Sequence, residues 1–261
     1  MSVTAPAALP RVTVVTPSYN QVAYVGETMQ SIHQQDHPDV EHIVVDGVST
    51  DGSLEVIREY EDRATVISEP DRGQTDAINK GLRRATGEIV CWLNSDDYFM
   101  PGTLSAVAAY FRDHPDVMWL TGDCLIVDQD GKPIQQPVRW YKRVLRRFPP
   151  AVYLGVTNAV AQPGTFWRRE LHERLGYLNE DLDYTMDYDW WLRLLSVGRP
   201  GATGRLMAGF RIHDESKSGS RYEQMFEEDF RTFRRHNSSR VLSLVHRAHN
   251  ALILAAYRRI K

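Results

Sequence analysis

Two hydrophobic rhythms alternate along the first half of the chain. Short runs rich in β-branched residues at 11–16, 41–46, 65–68, 88–93 and 117–127 read as strands. Between them, apolar residues at helical spacing predict helices near 24–35, 53–61, 75–85 and 101–114. Pro101 falls where the first turn of a helix tolerates it. Ser53, following Asp51-Gly52, is placed to cap the second helix. Such alternation with short loops implies an α/β fold, a mostly parallel twisted sheet flanked by helices. Ligands of these sheets bind outside the carboxyl ends of the strands.

After about Gln136 the alternation stops. A basic amphipathic segment at 139–147 leads into Phe148-Pro149-Pro150, then Gln162-Pro163-Gly164-Thr165-Phe166-Trp167, a short helix from Arg168 and an aromatic, acidic helix at 183–195. This part is too small for a core of its own and reads as an extension packed on the sheet. The tail, 221–261, reads as two helices broken near Asn237-Ser238-Ser239.

Composition changes this picture little. The chain has 261 residues, 42% hydrophobic and 25% charged, as expected of a globular protein, so disorder, collagen and coiled coil are excluded. Two cysteines, Cys91 and Cys124, make neither a disulfide framework nor a CxxC zinc site. The N-terminus has no basic segment followed by an apolar one, so it is not read as a signal peptide, and no run approaches a membrane span. The net charge of −3 argues against nucleic acid as a partner, but it hides an asymmetry. Residues 138–147 hold five Lys/Arg and residues 231–261 eight, with no acid in either, so the rest of the chain carries a strong acidic excess. An anionic surface is the partner such a split points to.

The strand ends carry the chemistry. The first runs into Pro17-Ser18-Tyr19-Asn20, the second into Asp46-Gly47, the third into Glu69-Pro70-Asp71-Arg72-Gly73, and the fourth into Asn94-Ser95-Asp96-Asp97. Four strands thus deliver carboxylates, hydroxyls and an aromatic ring to one rim. Adjacent carboxylates at Asp96 and Asp97 repel unless a cation or hydrogen-bond donors neutralise them. Oxygen ligands of this kind suit Mg²⁺ or Mn²⁺. Tyr19 can stack on a base; Asp46 can accept from a base imide or a ribose hydroxyl, or simply form an Asx turn. Neither GxGxxG nor GxxxxGK[ST] occurs, which disfavours a dinucleotide site and a P-loop.

In this order, Thr16-Pro17-Ser18-Tyr19-Asn20, Val45-Asp46-Gly47, Asp76-Ala77-Ile78-Asn79-Lys80-Gly81, Asn94-Ser95-Asp96-Asp97, Thr165-Phe166-Trp167-Arg168, Asp187-Tyr188-Asp189-Trp190-Trp191 and Phe210-Arg211-Ile212-His213 resemble the family 2 glycosyltransferases with the GT-A fold. The likeness spans roughly residues 11–218. It implies a GT-A sheet with a C-terminal helical extension, and an inverting transfer of sugar from a nucleotide-diphospho-sugar to a hydroxyl. UDP is the first expectation for the donor, with dTDP and GDP behind it; the acceptor is a saccharide or a lipid-linked saccharide. The resemblance places Pro17, Ser18 and Tyr19 at base and ribose and Asp46 near the base. It places Asp76 and Asn79 toward ribose or diphosphate, and Asp96 on ribose or sugar. Asp97 is expected on a Mn or Mg ion, with His213 near diphosphate or metal and Lys217 behind it. Asp187 matches the catalytic base, Asp189 is the weaker candidate, and Tyr184 faces the sugar. Asn94 and Met186 stand where acids are usual.

The organisation that follows is a flexible N-terminus at 1–10, a nucleotide-sugar-binding half at 11–136, an acceptor-binding and catalytic-base half of the same domain at 137–220, and basic helices at 221–261. Val241, Leu244, Val245, Ala248, Leu252 and Ala255 recur at helical spacing among arginines. That helix is open to three partners: an anionic membrane, the core, or a second subunit in a homodimer. The expected location is cytoplasmic, with peripheral contact to the inner face of the membrane through 231–261. The rival readings are a nucleotidyltransferase, which would need a basic Gly-rich loop after the first strand, and a non-catalytic nucleotide-sugar- or saccharide-binding module, which would lack the Asp97 and Asp187 pair.

Overall fold

The computed structural model describes residues 8–214 and 222–260; most of the expected flexible N-terminus and Lys217 lie outside the described residues. The first half folds as β1 (Val12–Ser18), α1 (Val25–His33), β2 (Val40–Asp46), α2 (Ser53–Arg58), β3 (Thr65–Ser68), α3 (Gln74–Arg84), β4 (Ile89–Trp92), β5 (Tyr98–Phe99), α4 (Thr103–Asp113) and β6 (Trp119–Val127). The second half adds α5 (Gln136–Leu145), α6 (Pro150–Val156), β7 (Thr165–Arg168), α7 (Leu171–Leu175), α8 (Met186–Leu195) and β8 (Gly201–Arg211). The tail forms α9 (Tyr222–His236) and α10 (Arg240–Ile260).

All eight strands join one sheet in the order β3-β2-β1-β4-β7-β6-β8-β5. β1 to β4 pair in parallel, as the right-handed βαβ pattern requires, while β7 runs antiparallel between β4 and β6. The register sets Ser18 beside Asp46 and Asp46 beside Ser68, so three strand ends reach the same rim. Three features depart from the sequence expectation. β8 has no β-branched run, yet it pairs with β6 and β5 and carries Arg211 to the rim. Ser53 does not cap α2: its N–H and hydroxyl both donate to Asp51, whose carboxylate is the acceptor that holds the helix start. The helix expected from Pro101 begins at Thr103, after a left-handed Gly102.

The core is sheet against helix, and its centre is aromatic. Trp92, Trp119, Trp167, Trp190 and Trp191 are fully buried. Trp191 stacks on Trp92 at 5.7 Å and on Trp119 at 6.2 Å, with Trp167 edge-on to Trp92 at 5.6 Å. Aromatic pairs of this kind add roughly 0.5–1.5 kcal/mol each beyond area burial. They fix α8 against β4, β6 and β7. On the same face, where Val15 pairs with Trp92, α3 approaches β1 so closely that a Cβ on Gly81 would lie 2.4 Å from Val15.

The tail helices dock on this body by apolar and polar groups: Phe233 of α9 is buried in the main core, and Leu242 of α10 packs against it. Glu228 of α9 accepts the backbone N–H groups of Asp183, Tyr184 and Thr185 at 2.8–3.2 Å, completing the N-terminus of α8. A carboxylate there also complements the helix dipole. His246 of α10 lies between Asp229 (2.5 Å) and the carbonyl of Gly155 (3.2 Å), stacked on Phe233.

Candidate active site

The rim at the carboxyl ends of β1, β2 and β3 is built from short polar side chains that staple two loops together. Asn20 N–H donates to Ser49 Oγ and Thr50 N–H to Asn20 Oδ1, both at 2.9 Å. Asp46 is fully buried and accepts from Ser49 Oγ (2.5 Å), Ser49 N–H (3.1 Å) and Ser68 Oγ (2.8 Å). It closes the Asx-type turn. Pro17 and Ser18 are buried at the end of β1, and Ser18 Oγ has no partner among the described residues. Tyr19 is 61% exposed, an open ring face at the mouth of this rim. Beside it, Gly47 leaves a gap that Asp71 enters: a Cβ on residue 47 would lie 2.5 Å from Asp71 Oδ2 and 3.3 Å from the Tyr19 ring. Asp71 is half-buried and receives the N–H of Gly73.

The end of β4 turns through Asn94-Ser95-Asp96-Asp97. Asp97, expected on the metal, is 1% exposed. Its Oδ1 accepts the Arg211 N–H at 2.8 Å and its Oδ2 the Asn94 side chain at 3.3 Å. Burial first, then the neighbouring Asp96 charge, push its carboxyl well above the usual range. The carboxylate that faces His213 is Asp96, whose Oδ2 lies 3.1 Å from His213 Nε2. Arg211 organises this loop from the buried end of β8. Its Nε donates to Asp96 O (2.9 Å) and its Nη2 to Glu27 (2.5 Å), with the guanidinium over the ring of Tyr24 at 5.0 Å. Tyr24 in turn packs on His213, ring to ring at 4.7 Å.

One carboxylate and one imidazole converge here, a donor pair of the kind a divalent cation takes, while no group of three or more His, Cys, Asp or Glu that could hold a metal occurs among the described residues. Mg²⁺ and Mn²⁺ favour such incomplete protein shells, which leave positions for water and phosphate oxygens.

The residues expected on α3 are held by protein partners. Asp76 accepts Arg72 N–H and Arg72 Nη2, both at 3.1 Å, and stands 3.5 Å from Lys80. Asn79 clamps the 178–180 segment, donating to Leu178 O (2.9 Å) and Glu180 Oε1 (3.0 Å) and accepting from Leu178 N–H. Gln74 at the start of α3 does reach the rim, donating to Asn94 Oδ1 at 2.9 Å.

Asp187 sits half-buried in the first turn of α8. Its Oδ2 accepts from Asn158 Nδ2 at 2.9 Å and its Oδ1 from Tyr188 N–H at 2.6 Å. Burial raises its pKa; the two hydrogen bonds and the charge of Lys142 on α5 oppose that rise, and Asp229 adds to it. Asp189 is different: it pairs with Arg193 (2.8 Å) and His236 (2.7 Å), which holds its carboxyl below the ordinary value despite burial. Tyr184 bonds Gln224 of α9. The segment from Asn158 to Gln162 links the two ends of the site, because Gln162 reaches both Trp92 O (2.9 Å) and Asn94 (3.3 Å).

Arg211, Asp71, Gln74, Asn158, Gln162 and Glu228 received no role from the sequence. Arg211, Asp71 and Gln162 stood inside strand ends or motifs already quoted; Asn158 and Glu228 gave no local signal.

The description "Glycosyl transferase family 2" belongs to the family model that matches residues 13–176. A putative teichuronic acid biosynthesis glycosyltransferase, TuaG of Bacillus subtilis, is 37% identical over 131 residues, covering 49% of this chain and 52% of the relative. The poly(ribitol-phosphate) beta-N-acetylglucosaminyltransferase TarS of Staphylococcus aureus is 33% identical over 107 residues, 39% of this chain and 19% of TarS. The chain spans about half the length of the first curated relatives it matches. Among solved structures, the mannosyltransferase PcManGT of Pyrobaculum calidifontis, in complex with GDP-Man and Mn²⁺, superposes with a TM-score of 0.71 at 24% identity, over 98% of this chain and 77% of that one. S. aureus TarS 1-349 with UDP-GlcNAc gives 0.68 at 21%, over 89% and 69%.

Proposed function

The chain belongs to glycosyl transferase family 2 and has its GT-A fold, and from that premise we propose that it transfers a sugar from a nucleotide-diphospho-sugar to an acceptor hydroxyl with inversion, Asp187 acting as base. The observation that carries this reading is the state of Asp187. It is half-buried, held by one hydrogen bond on each oxygen, and raised in pKa by burial, toward the range where a carboxylate takes a proton effectively. The acceptor oxygen bonds to the anomeric carbon as the bond from that carbon to the diphosphate oxygen breaks. The acceptor proton passes to Asp187, and the nucleoside diphosphate leaves.

The 11–136 half would hold the donor, and 137–220 the acceptor and the base. Tyr19 stacks on the base, with Pro17, Ser18 and Asp71 lining its edge; Asp46, Asp76 and Asn79 act by fixing the loops around the donor. Asp96 and His213 are the groups that would hold Mn²⁺ or Mg²⁺, with Asp97 and Arg211 setting the loop that presents them. A cation bound there would offset the charge that develops on the departing diphosphate. UDP is the first donor nucleotide to test, since the relative TarS is solved with UDP-GlcNAc. GDP and dTDP come next, GDP because PcManGT is solved with GDP-Man. The acceptor to test is a saccharide or lipid-linked saccharide; the relatives, named for teichuronic acid biosynthesis and for transfer to poly(ribitol-phosphate), favour one of the cell envelope.

The test uses Asp187→Asn. Donor binding, read as a rise in melting temperature with nucleoside diphosphates and Mn²⁺, should match the wild type. Transfer to acceptor should drop by about 10²–10⁴-fold. Near-normal turnover would refute the assignment of Asp187, and absence of any donor-dependent stabilisation in the wild type would refute the reaction class.

A further inference from the structure

Eleven large apolar side chains are exposed among the described residues, and eight of them lie on α5, the turn after it, α6 and α10. The other three, Tyr19, Val22 and Val48, stand at the donor rim. The eight are not scattered. α5 and α6 both pack on α10: Tyr141 bonds His249 at 2.7 Å, and Leu242 lies against Gly155. α10 docks by its polar stripe, with Ser243, His246 and Asn250 buried and bonded to Arg234, Asp229 and Gly155. Its apolar stripe therefore turns outward: Val241 is 71% exposed, Leu244 70% and Leu252 73%. On adjoining α5 and its turn, Trp140 is 67% exposed and Phe148 54%. A surface helix that contributed only to the core would have the opposite orientation.

Charge selects the occupant. Arg143, Arg147 and Arg240 are exposed on these same elements and form no ion pair among the described residues. No acid occurs in 138–147 or 231–261. A second copy of the chain, docked about a twofold axis, would set this cationic face against itself. No helix among the described residues is long and apolar enough to cross a membrane. We propose that the face formed by α5, α6 and α10 docks on an anionic lipid bilayer, its apolar side chains entering the interface and its arginines meeting the headgroups. This is how basic amphipathic surfaces lie on membranes. Lys142, whose charge acts on Asp187, belongs to the same α5. On the reading of Asp187 as base, a lipid-linked acceptor would reach it from the bilayer side; the docking itself does not depend on that reading.

The experiment is co-sedimentation of the full chain with vesicles of phosphatidylcholine alone or mixed with phosphatidylglycerol. Binding should require the anionic lipid and weaken with salt. Leu244→Asp with Leu252→Asp should lower the partition coefficient by about tenfold or more. Arg143→Glu with Arg147→Glu should lower it comparably. All four positions face solvent, so an unchanged melting temperature will certify the fold. Trp140 is the one exposed tryptophan of the six, so brominated lipid should quench wild-type emission, and Trp140→Phe should remove most of the quenching. Equal recovery of wild type and variants would overturn the proposal, as would failure of the wild type to bind either vesicle. So would a lipid-free dimer, seen by sedimentation velocity, that the leucine variants dissociate.

Discussion

His172 makes acid stability a measurable property of the architecture that holds α8. The ring is 7% exposed, sandwiched between Tyr177 (4.8 Å) and Trp190 (5.1 Å). Trp167 Nε1–H donates to its Nε2, so Nδ1 carries the proton and donates to Gly176 O at 2.9 Å. Burial dominates and lowers its pKa from 6.5 to about 4, with Arg193 and Arg169 adding to the shift and the Gly176 bond opposing it. At His172 the unfolded chain therefore binds more protons than the native one between about pH 6.5 and 4, so this residue's contribution to stability falls as pH falls through that window, opposite in sign to the contributions of Asp97 and Asp187, whose carboxyls burial raises. At pH near 5 the loss comes to about 2 kcal/mol, and in full to about 3 kcal/mol. Two kcal/mol is roughly 4–8 °C in Tm for a chain of this size. His42, buried and lowered to about 3, adds a loss of the same sign. The carboxylates held low, Asp76, Asp189 and Glu41, act lower, below their unfolded pKa values near 4. Urea unfolding followed by tryptophan emission at pH values near 7, 6 and 5 measures the slope. His172→Gln will be less stable at every pH but should show a shallower decline between about pH 6.5 and 5. Parallel pH profiles for wild type and variant would refute the reasoning, whatever the absolute stabilities.

Two further outcomes test the site's supports. Glu228→Ala leaves three backbone N–H groups at the start of α8 without their acceptor and should cost about 1–3 kcal/mol. Because those groups position Asp187 and not the donor, kcat should fall while nucleoside diphosphate affinity holds; an unchanged kcat would separate the tail from the chemistry. Gly47→Ala places a Cβ 2.5 Å from Asp71 Oδ2, so Asp71 must withdraw from the Tyr19 rim. Calorimetric titration should then show nucleotide affinity weakened by about tenfold, the worth of one displaced polar contact of about 1.4 kcal/mol; wild-type affinity would remove Asp71 from the base site.

What was legible in the sequence followed from local rules. The β1-to-β4 alternation is written in β-branched runs separated by helical spacing, and the rim is written in four polar strand ends. β8 was hidden because Gly201, Gly204 and Gly209, with Arg205 among them, carry no strand rhythm. It is a strand through its pairing with β6 and β5, a non-local fact. The tail shows the same limit in another form. The apolar spacing of α10 was visible, but which side it faced was not. That depends on Asp229 and on the Gly155 carbonyl, which offer His246 better partners than water does.

The carboxylates divide by burial and by what already fills them, and the division makes a prediction distinct from their place in a motif. Asp46, Asp76, Asp97 and Asp189 are each at most 6% exposed, and each accepts hydrogen bonds from protein donors. Removing such a group leaves buried donors unpaired, so its first effect is on the loop it closes. Asp71, Asp96 and Asp187 are half-buried, although Asp187 also accepts one hydrogen bond on each oxygen. A charged group kept partly in water at a polar rim is held back from full internal pairing at some cost in stability, which is the usual condition of groups that meet a ligand. Asp96 and Asp97 are adjacent in sequence yet fall on opposite sides of this line. The β4 strand ends there, and the turn from Asn94 sends one side chain inward to Arg211 N–H and the other outward to His213. Variants should follow the same line: Asp97→Asn should register mainly in melting temperature, and Asp96→Asn mainly in the response to Mn²⁺ with nucleoside diphosphate. A metal response lost in the Asp97 variant and intact in the Asp96 variant, both folded, would reverse the assignment.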